Sequence, residues 1–374
     1  MDGQVVRRGD PELAALLDRF VCVRAVQGWG IDLSLFQFHG QLTWAVFFLN
    51  PDRTIYGRYG SRAPSGTSGF KGNDRFVTME GFKKAIQGAL ELHAAYPANK
   101  ASLAGKTGPA PIAKTPEAIP AASAWPVRRV DGTDRNKGCV HCHEVQDWEF
   151  IEARKKGAVA DRYLWTYPMP DTLGLSLDPV ERAAATAVAP GSAAEKAGFK
   201  AGDRLLALDG QPLLSIADVQ WVLHQAPEPG AVKAEVDRGG RKVALTLELK
   251  AGWRRGYSYA DNLSVGWMTR SRTAGMRLES MPEIDREKLG LAADVPALRI
   301  RELTPDFAKE RNTSPKKAGL LKGDVLLELD GRPIPPTESE FLAHLLQKKK
   351  PGDKITLGYR RGGGPPQAAE VEVR

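Results

Sequence analysis

The chain has 374 residues, more than one hydrophobic core usually organises, and at roughly 150 residues per domain this predicts two or three units. Its side chains are 42% hydrophobic, 26% charged and 7% aromatic, a balance that excludes a wholly disordered or collagen-like chain. The net charge of +8 is spread out rather than gathered on a recognisable module, so nucleic acid is not an expected partner.

In chain order, residues 11–19 read as helix and residues 20–26 as an extended stretch with Cys22 as a core thiol. Residues 43–49 and 55–59 read as strands. Between them Asn50-Pro51-Asp52-Arg53 is turn chemistry, because proline fixes φ while Asn and Asp bond to the local backbone. Thr78 is placed to cap a helix with apolar positions at Phe82, Ile86 and Leu90. The longest nearly apolar run, residues 42–49, falls far short of the roughly 20 residues of a membrane-spanning helix, so no integral span is expected. The opening residues hold no basic start followed by an apolar stretch, and no secretory signal is read in them. Residues 1–96 form the first unit. Residues 97–126 are rich in Ala, Pro, Lys and Ser with few large apolar side chains, which predicts a linker unable to offset its ordering entropy by burial.

Residues 127–165 contain Cys139-Val140-His141-Cys142-His143. This C-x-x-C-H spacing is the attachment pattern of haem c, in which two thiols bond the porphyrin vinyl groups and the next imidazole ligates iron. Cys139, Cys142 and His143 are the candidate haem residues, with His143 the metal ligand and Met169 the candidate second axial ligand. Three alternatives remain open at this point: a dithiol pair exchanging disulfides, a zinc site completed from elsewhere, or structural thiols in a purely protein-binding chain. Three cysteines are too few for a disulfide framework, so packing must hold the chain together.

An internal repeat follows, over residues 166–250 and 284–374, with 251–283 as connector. Leu173-Gly174-Leu175 recurs as Leu289-Gly290-Leu291. Lys196-Ala197-Gly198-Phe199-Lys200-Ala201-Gly202-Asp203 recurs as Lys317-Ala318-Gly319-Leu320-Leu321-Lys322-Gly323-Asp324. Asp209-Gly210-Gln211-Pro212 recurs as Asp330-Gly331-Arg332-Pro333. Each copy carries a short capped helix, with Ser192 and Glu195 at capping-box spacing, and a second helix beginning after Ser215 or Thr337.

The run Pro190-Gly191-Ser192-Ala193-Ala194-Glu195-Lys196-Ala197-Gly198-Phe199-Lys200-Ala201-Gly202-Asp203 resembles the PDZ domain of bacterial periplasmic proteases. The resemblance implies two PDZ-like β-barrel or sandwich domains with capping helices. It also implies capture of protein C-terminal peptides by strand addition, with the terminal carboxylate held by a loop. The loop candidates are Leu173, Gly174, Leu175 and Ser176 in the first copy and Leu289, Gly290, Leu291 and Ala292 in the second, with Val219 and Leu223 on the facing helix. A blocked groove, leaving a packing module, is the alternative. A Gly-x-Ser-x-Gly nucleophile elbow with His and Asp partners is not found, so the expectation is a non-proteolytic scaffold.

The stretch 43–60 is similar to the final strand pair of a thioredoxin fold, lacking the first strand and its redox motif. The whole order resembles the thioredoxin-like/PDZ proteins and selenoproteins of planctomycete bacteria, which implies an extracytoplasmic, periplasmic protein. The expected fold class is therefore multidomain α+β, a partial thioredoxin-like domain followed by two PDZ-like domains. The expected function is a peptide-binding scaffold carrying haem for electron transfer.

Overall fold

A computed structural model describes residues 9–25, 28–40, 42, 44–60, 77–124, 140, 142–157, 159–256, 270, 273–303 and 313–374. The chain divides into two compact units, Met1–Glu152 with Trp165–Tyr257 and Ala153–Leu164 with Ser258–Arg374.

In the first unit, helix α1 (Pro11–Leu17) starts where the Asp10 carboxylate accepts from the N–H groups of Glu12 and Leu13. Strands β1 (Val46–Leu49) and β2 (Ile55–Tyr59) form an antiparallel hairpin with Val46 opposite Tyr59, closed by the Asn50–Arg53 turn. Helix α2 (Met79–Ala94) is capped by the Thr78 hydroxyl. Its Phe82, Ala85, Ile86 and Ala89 recur at helical spacing, and they pack with Leu13, Phe48, Tyr56 and Tyr59.

Two expectations for this region are corrected. Among the described residues the hairpin has no third strand, and residues 20–25 form none. Val21 and Val23 are 94% and 89% exposed and Cys22 lies exposed between them, so Cys22 is a surface thiol rather than a core one. The stretch offers apolar side chains but has no neighbouring strand to pair with, and pairing rather than composition makes a strand. Residues 97–124, expected as a linker, are packed: a short helix (Lys100–Leu103) and three 3-10 turns bury Leu103, Lys106 and Ile119. Polar anchors hold this small-residue stretch. The Trp221 indole donates to the Gly105 carbonyl at 2.9 Å, and Lys106 Nζ lies 2.9 Å from Asp218 Oδ1, both side chains being fully buried. A Cβ at Gly105 would meet the end of the Gln211 side chain, so the turn packs closely against the next domain.

The first repeat follows. Strands β3 (Leu175–Leu177) and β4 (Ala185–Val188) form one pair, and β5 (Arg204–Leu208), β6 (Gln211–Pro212), β7 (Gly230–Arg238) and β8 (Arg241–Leu249) form a sheet in the order β6-β5-β7-β8. Helix α3 (Cys142–Lys155) precedes the repeat in the chain, and helix α4 (Ile216–Gln225) covers one face of the repeat's core with Ile216, Val219 and Leu223.

In the second unit, β9 (Met276–Ser280), α5 (Glu283–Lys288), β10 (Leu298–Leu303), β11 (Val325–Leu329), β12 (Arg332–Pro333), α6 (Glu338–Lys348), β13 (Lys354–Arg360) and β14 (Gln367–Glu372) repeat the plan in one sheet of order β14-β13-β11-β10-β9.

The duplicated Gly-Asp blocks have a duplicated physical role. Asp203 receives a two-pronged hydrogen bond from Arg238 at 2.7 and 2.8 Å, and Arg238 also donates to the Gly198 carbonyl at 2.8 Å. Asp324, Arg361 and Gly319 reproduce this at 2.7, 2.8 and 2.7 Å. The turn aspartates match as well. Asp209 and Asp330, both at positive φ, each accept a backbone N–H at 2.8 Å, from Lys233 and Thr356.

Candidate peptide-binding site

Strand β3 pairs with β4 along one edge, with Leu175 opposite Val188 and Ser176 opposite Ala187. Among the described residues no strand occupies its other edge. The turn that leads into it ends at Gly174, which has a φ of 83° and whose N–H bonds the Asp171 carbonyl at 2.9 Å. A Cβ there would lie 2.2 Å from Ser192, so both conformation and crowding demand glycine. Leu173, Leu175, Val219 and Leu223 all lie in one buried cluster, and the Ser176 hydroxyl donates to Asp171. The structure therefore brings the first-copy loop residues and the two helix residues together.

The polar row on α4 has a different occupant. Gln220 Nε2 donates to the Tyr167 carbonyl and to the Met169 sulfur, each at 3.0 Å, while the Tyr167 ring stacks on His224 with centroids 4.2 Å apart. Tyr167 to Met169 thus lies along the helix. Met169 is 5% exposed within the core of the first repeat, with its sulfur accepting from Gln220.

In the second copy the expected loop is corrected. Leu289, Gly290 and Leu291 close helix α5 inside the connection between β9 and β10. The place taken by Leu173-Gly174-Leu175 in the first copy belongs to Ala274-Gly275-Met276, where Gly275 has a φ of 66° and leads into β9. The strand connection is residues 178–184 in the first copy and the longer, helix-containing 281–297 in the second, so a Leu-Gly-Leu match falls one element too late. The alternation of Met276 and Leu278, both buried, matches Leu175 and Leu177 and was the available signal.

Here the edge is also occupied. Leu278 N–H donates to Glu338 Oε1 at 2.7 Å, and Arg270 Nε donates to the same oxygen at 2.7 Å while its Nη2 bonds Glu338 Oε2. Glu338 is the first residue of α6; the corresponding first residue of α4 is Ile216, which offers no acceptor. Glu338, Arg270 and Gln220 were not legible as site residues from sequence.

Cys142 and His143 open helix α3, whose Val145 and Trp148 pack with Leu33, Ile119 and Val140 and whose Trp148 stacks on Trp29 at 5.8 Å. Burial pushes the Cys142 thiol up, opposite to the lowered value of an exchanging thiolate. Cys139 lies outside the described residues. Among the described residues no three His, Cys, Asp or Glu side chains gather as metal ligands, and no helix is long and apolar enough to cross a membrane.

Residues 185–238 and 309–373 each match the PDZ domain family. Over 194 residues the chain is 25% identical to a probable periplasmic serine endoprotease, DegP-like, of Marinomonas, covering 50% of this chain and 37% of the relative. It is 39% identical over 61 residues to the putative serine protease HhoA of Synechocystis, 16% of each chain. It is 44% identical over 61 residues to the regulator of sigma-E protease RseP of Escherichia coli, 16% of this chain and 13% of that one. The chain thus spans well under half the length of these curated relatives. Among solved structures, the HtrA3 PDZ domain bound to a phage-derived ligand aligns at 18% identity over 27% of this chain and 83% of that one, with a TM-score of 0.21. The HtrA-type protease AlgW with decapeptide aligns at 16% identity over 38% of this chain and 48% of that one, with a TM-score of 0.22.

These relatives correct the functional expectation. They are named as serine proteases and an RseP-type protease, which does not fit a non-proteolytic electron carrier. Both repeats of this mixed α/β chain are PDZ domains of the type carried by bacterial periplasmic proteases, built on antiparallel sheets.

Proposed function

We propose that the chain recognises extended polypeptide segments for an extracytoplasmic proteolytic system, with its first PDZ domain as the binding module. The segment adds as a strand along Leu175–Leu177, and its main chain supplies most of the recognition. The single observation that carries this reading is the outer edge of β3, without a strand partner among the described residues and entered through a left-handed glycine turn. Naming of the DegP-like relatives as periplasmic endoproteases supports the location and the proteolytic context. The second domain is held in reserve in this reading, because Glu338 already takes the N–H of Leu278.

We read the N-terminal hairpin and α2 as a thioredoxin-like remnant on the sequence resemblance of residues 43–60. Their part in this reading is support: Asp218 of α4 accepts from the Arg58 backbone N–H, and the Ser215 hydroxyl donates to the Arg58 carbonyl at 2.6 Å. Fluorescence anisotropy with peptides ending in a free carboxylate, tested on the full chain, checks the proposal. One peptide per chain is expected to bind. Amidating the terminus should weaken it, and N-methylating alternate peptide nitrogens should abolish it. Indifference to both changes would remove strand addition with carboxylate capture.

A further inference from the structure

Within the first unit, where the hairpin meets α4, lies a small, partly open pocket with an inner space of about 20 Å³, lined by Phe47 and Val46 of β1, Ala217 and Gln220 of α4, Tyr167 and Arg58. That is room for about one water-sized group before any side chain moves. Arg58 is 4% exposed. Its Nε donates to the Gln37 carbonyl at 3.3 Å and its Nη2 to the Lys106 carbonyl at 2.7 Å, while Nη1 is buried with no acceptor. The guanidinium is sandwiched 3.8 Å from the Trp221 ring and 5.2 Å from the Phe47 ring.

The charge around it does not balance. Two buried cationic side chains, Arg58 and Lys106, share one buried carboxylate, Asp218, and that carboxylate is already taken by Lys106 Nζ and by the backbone N–H groups of Arg58 and Leu214. A buried guanidinium donor is costly until an acceptor completes it, and an anionic acceptor would also offset the unbalanced charge. The walls are mostly apolar and the space is small. A tetrahedral dianion, which needs several donors, fits poorly, whereas a planar carboxylate matches a guanidinium edge and carries an apolar tail.

We propose that this cavity is a binding site for a small monocarboxylate, with its carboxylate on Arg58 and its tail among Phe47, Val46 and Ala217. It shares no residue with the strand edge at 175–177 and stands independently of it. The same chemistry is offered by a free short-chain acid and by the terminus of a polypeptide ending in alanine, and the size of the cavity favours the free acid.

The test uses the full chain in chloride-free buffer. Acetate, acetamide, chloride and a short peptide ending in alanine are titrated by calorimetry, alongside the Nε–H resonance of Arg58. Acetate is expected to saturate in the millimolar range and to shift the Arg58 resonance, with acetamide silent. Arg58→Gln should weaken acetate at least tenfold. Ala217→Leu, which fills the cavity and keeps the charge, should do the same. If either variant fails to fold, the Arg58 resonance of the unaltered chain decides. Arg58-dependent binding of the peptide in place of acetate identifies the chain terminus as the source and upholds the site. Acetate matched by acetamide or chloride, no shift at Arg58, or acetate binding untouched by Ala217→Leu overturns the proposal.

Discussion

Replacing Lys106 by methionine removes one half of the Lys106–Asp218 pair, in which both side chains have no solvent exposure and the Nζ–Oδ1 distance is 2.9 Å. The substitution keeps the length and volume of the stem, so the loss is electrostatic rather than steric. It leaves the Asp218 carboxylate buried with two backbone N–H groups and the nearby Arg58 as its remaining partners. Breaking one partner of a buried pair costs about 3–5 kcal/mol, and those remaining partners place the expectation near about 3 kcal/mol. At about 2–4 °C per kcal/mol for a unit of this size, the melting temperature of the first unit should fall by roughly 6–12 °C. Urea unfolding followed by tryptophan fluorescence reads the loss directly, because the Trp221 indole is bonded to Gly105 beside the pair. The double variant Lys106→Met with Asp218→Asn removes the carboxylate charge but keeps an acceptor for only one of the two N–H groups, because Arg58 N–H uses Oδ1 and Leu214 N–H uses Oδ2, so it should recover only part of the loss. A single variant within about 0.5 kcal/mol of the parent, or a double variant no better than the single, would refute the claim that this pair clamps the Ala- and Pro-rich segment to α4.

Other outcomes follow from the same geometry. Glu338→Ala frees the Leu278 N–H and should raise peptide stoichiometry from one to two per chain, at a cost of about 1–3 kcal/mol in the second unit; anisotropy and thermal unfolding read the two effects separately. Asp203→Asn weakens the fork to Arg238 and should cost about 1–3 kcal/mol in the first domain, with Asp324→Asn doing the same in the second. The side-chain hydrogen bonds from Arg238 hold the Asp203 carboxyl below its usual value. Its stabilisation is therefore present above about pH 4 and lost as pH falls through the folded value, so the Asp203→Asn deficit should shrink in acid unfolding curves. Burial pushes Glu149 up to about 7. For an acid raised this way, the folded state favours the proton, so stability is greatest below the unfolded value and is lost as pH rises towards 7. Glu149→Gln should accordingly gain about 1–3 kcal/mol at pH 8 relative to the parent and little at pH 5, as measured by denaturant midpoints.

What the chain spells out by itself is local. Ser192, Ser215 and Thr337 were legible as caps because a hydroxyl needs only the N–H groups two or three residues on, and all three do cap helices. The Asp209-Gly210 and Asp330-Gly331 turns and the doubled Gly-Asp block were legible for the same reason, and with them the two PDZ copies. Tertiary structure decided everything that depends on a distant partner. Cys22 is exposed because no strand arrives beside it, and residues 97–124 are ordered because Asp218 and Trp221 lie across from Lys106 and Gly105, more than a hundred positions along the chain. The second loop sits at Gly275 and not at Gly290 because a helix was inserted between two strands, which only strand pairing reveals. Glu338 reads as an ordinary first-turn acid until the fold brings the Leu278 N–H to it. Caps and turns are satisfied within a few residues and leave a mark in local spacing, whereas a buried charge or a capped strand edge is satisfied across the fold and leaves none.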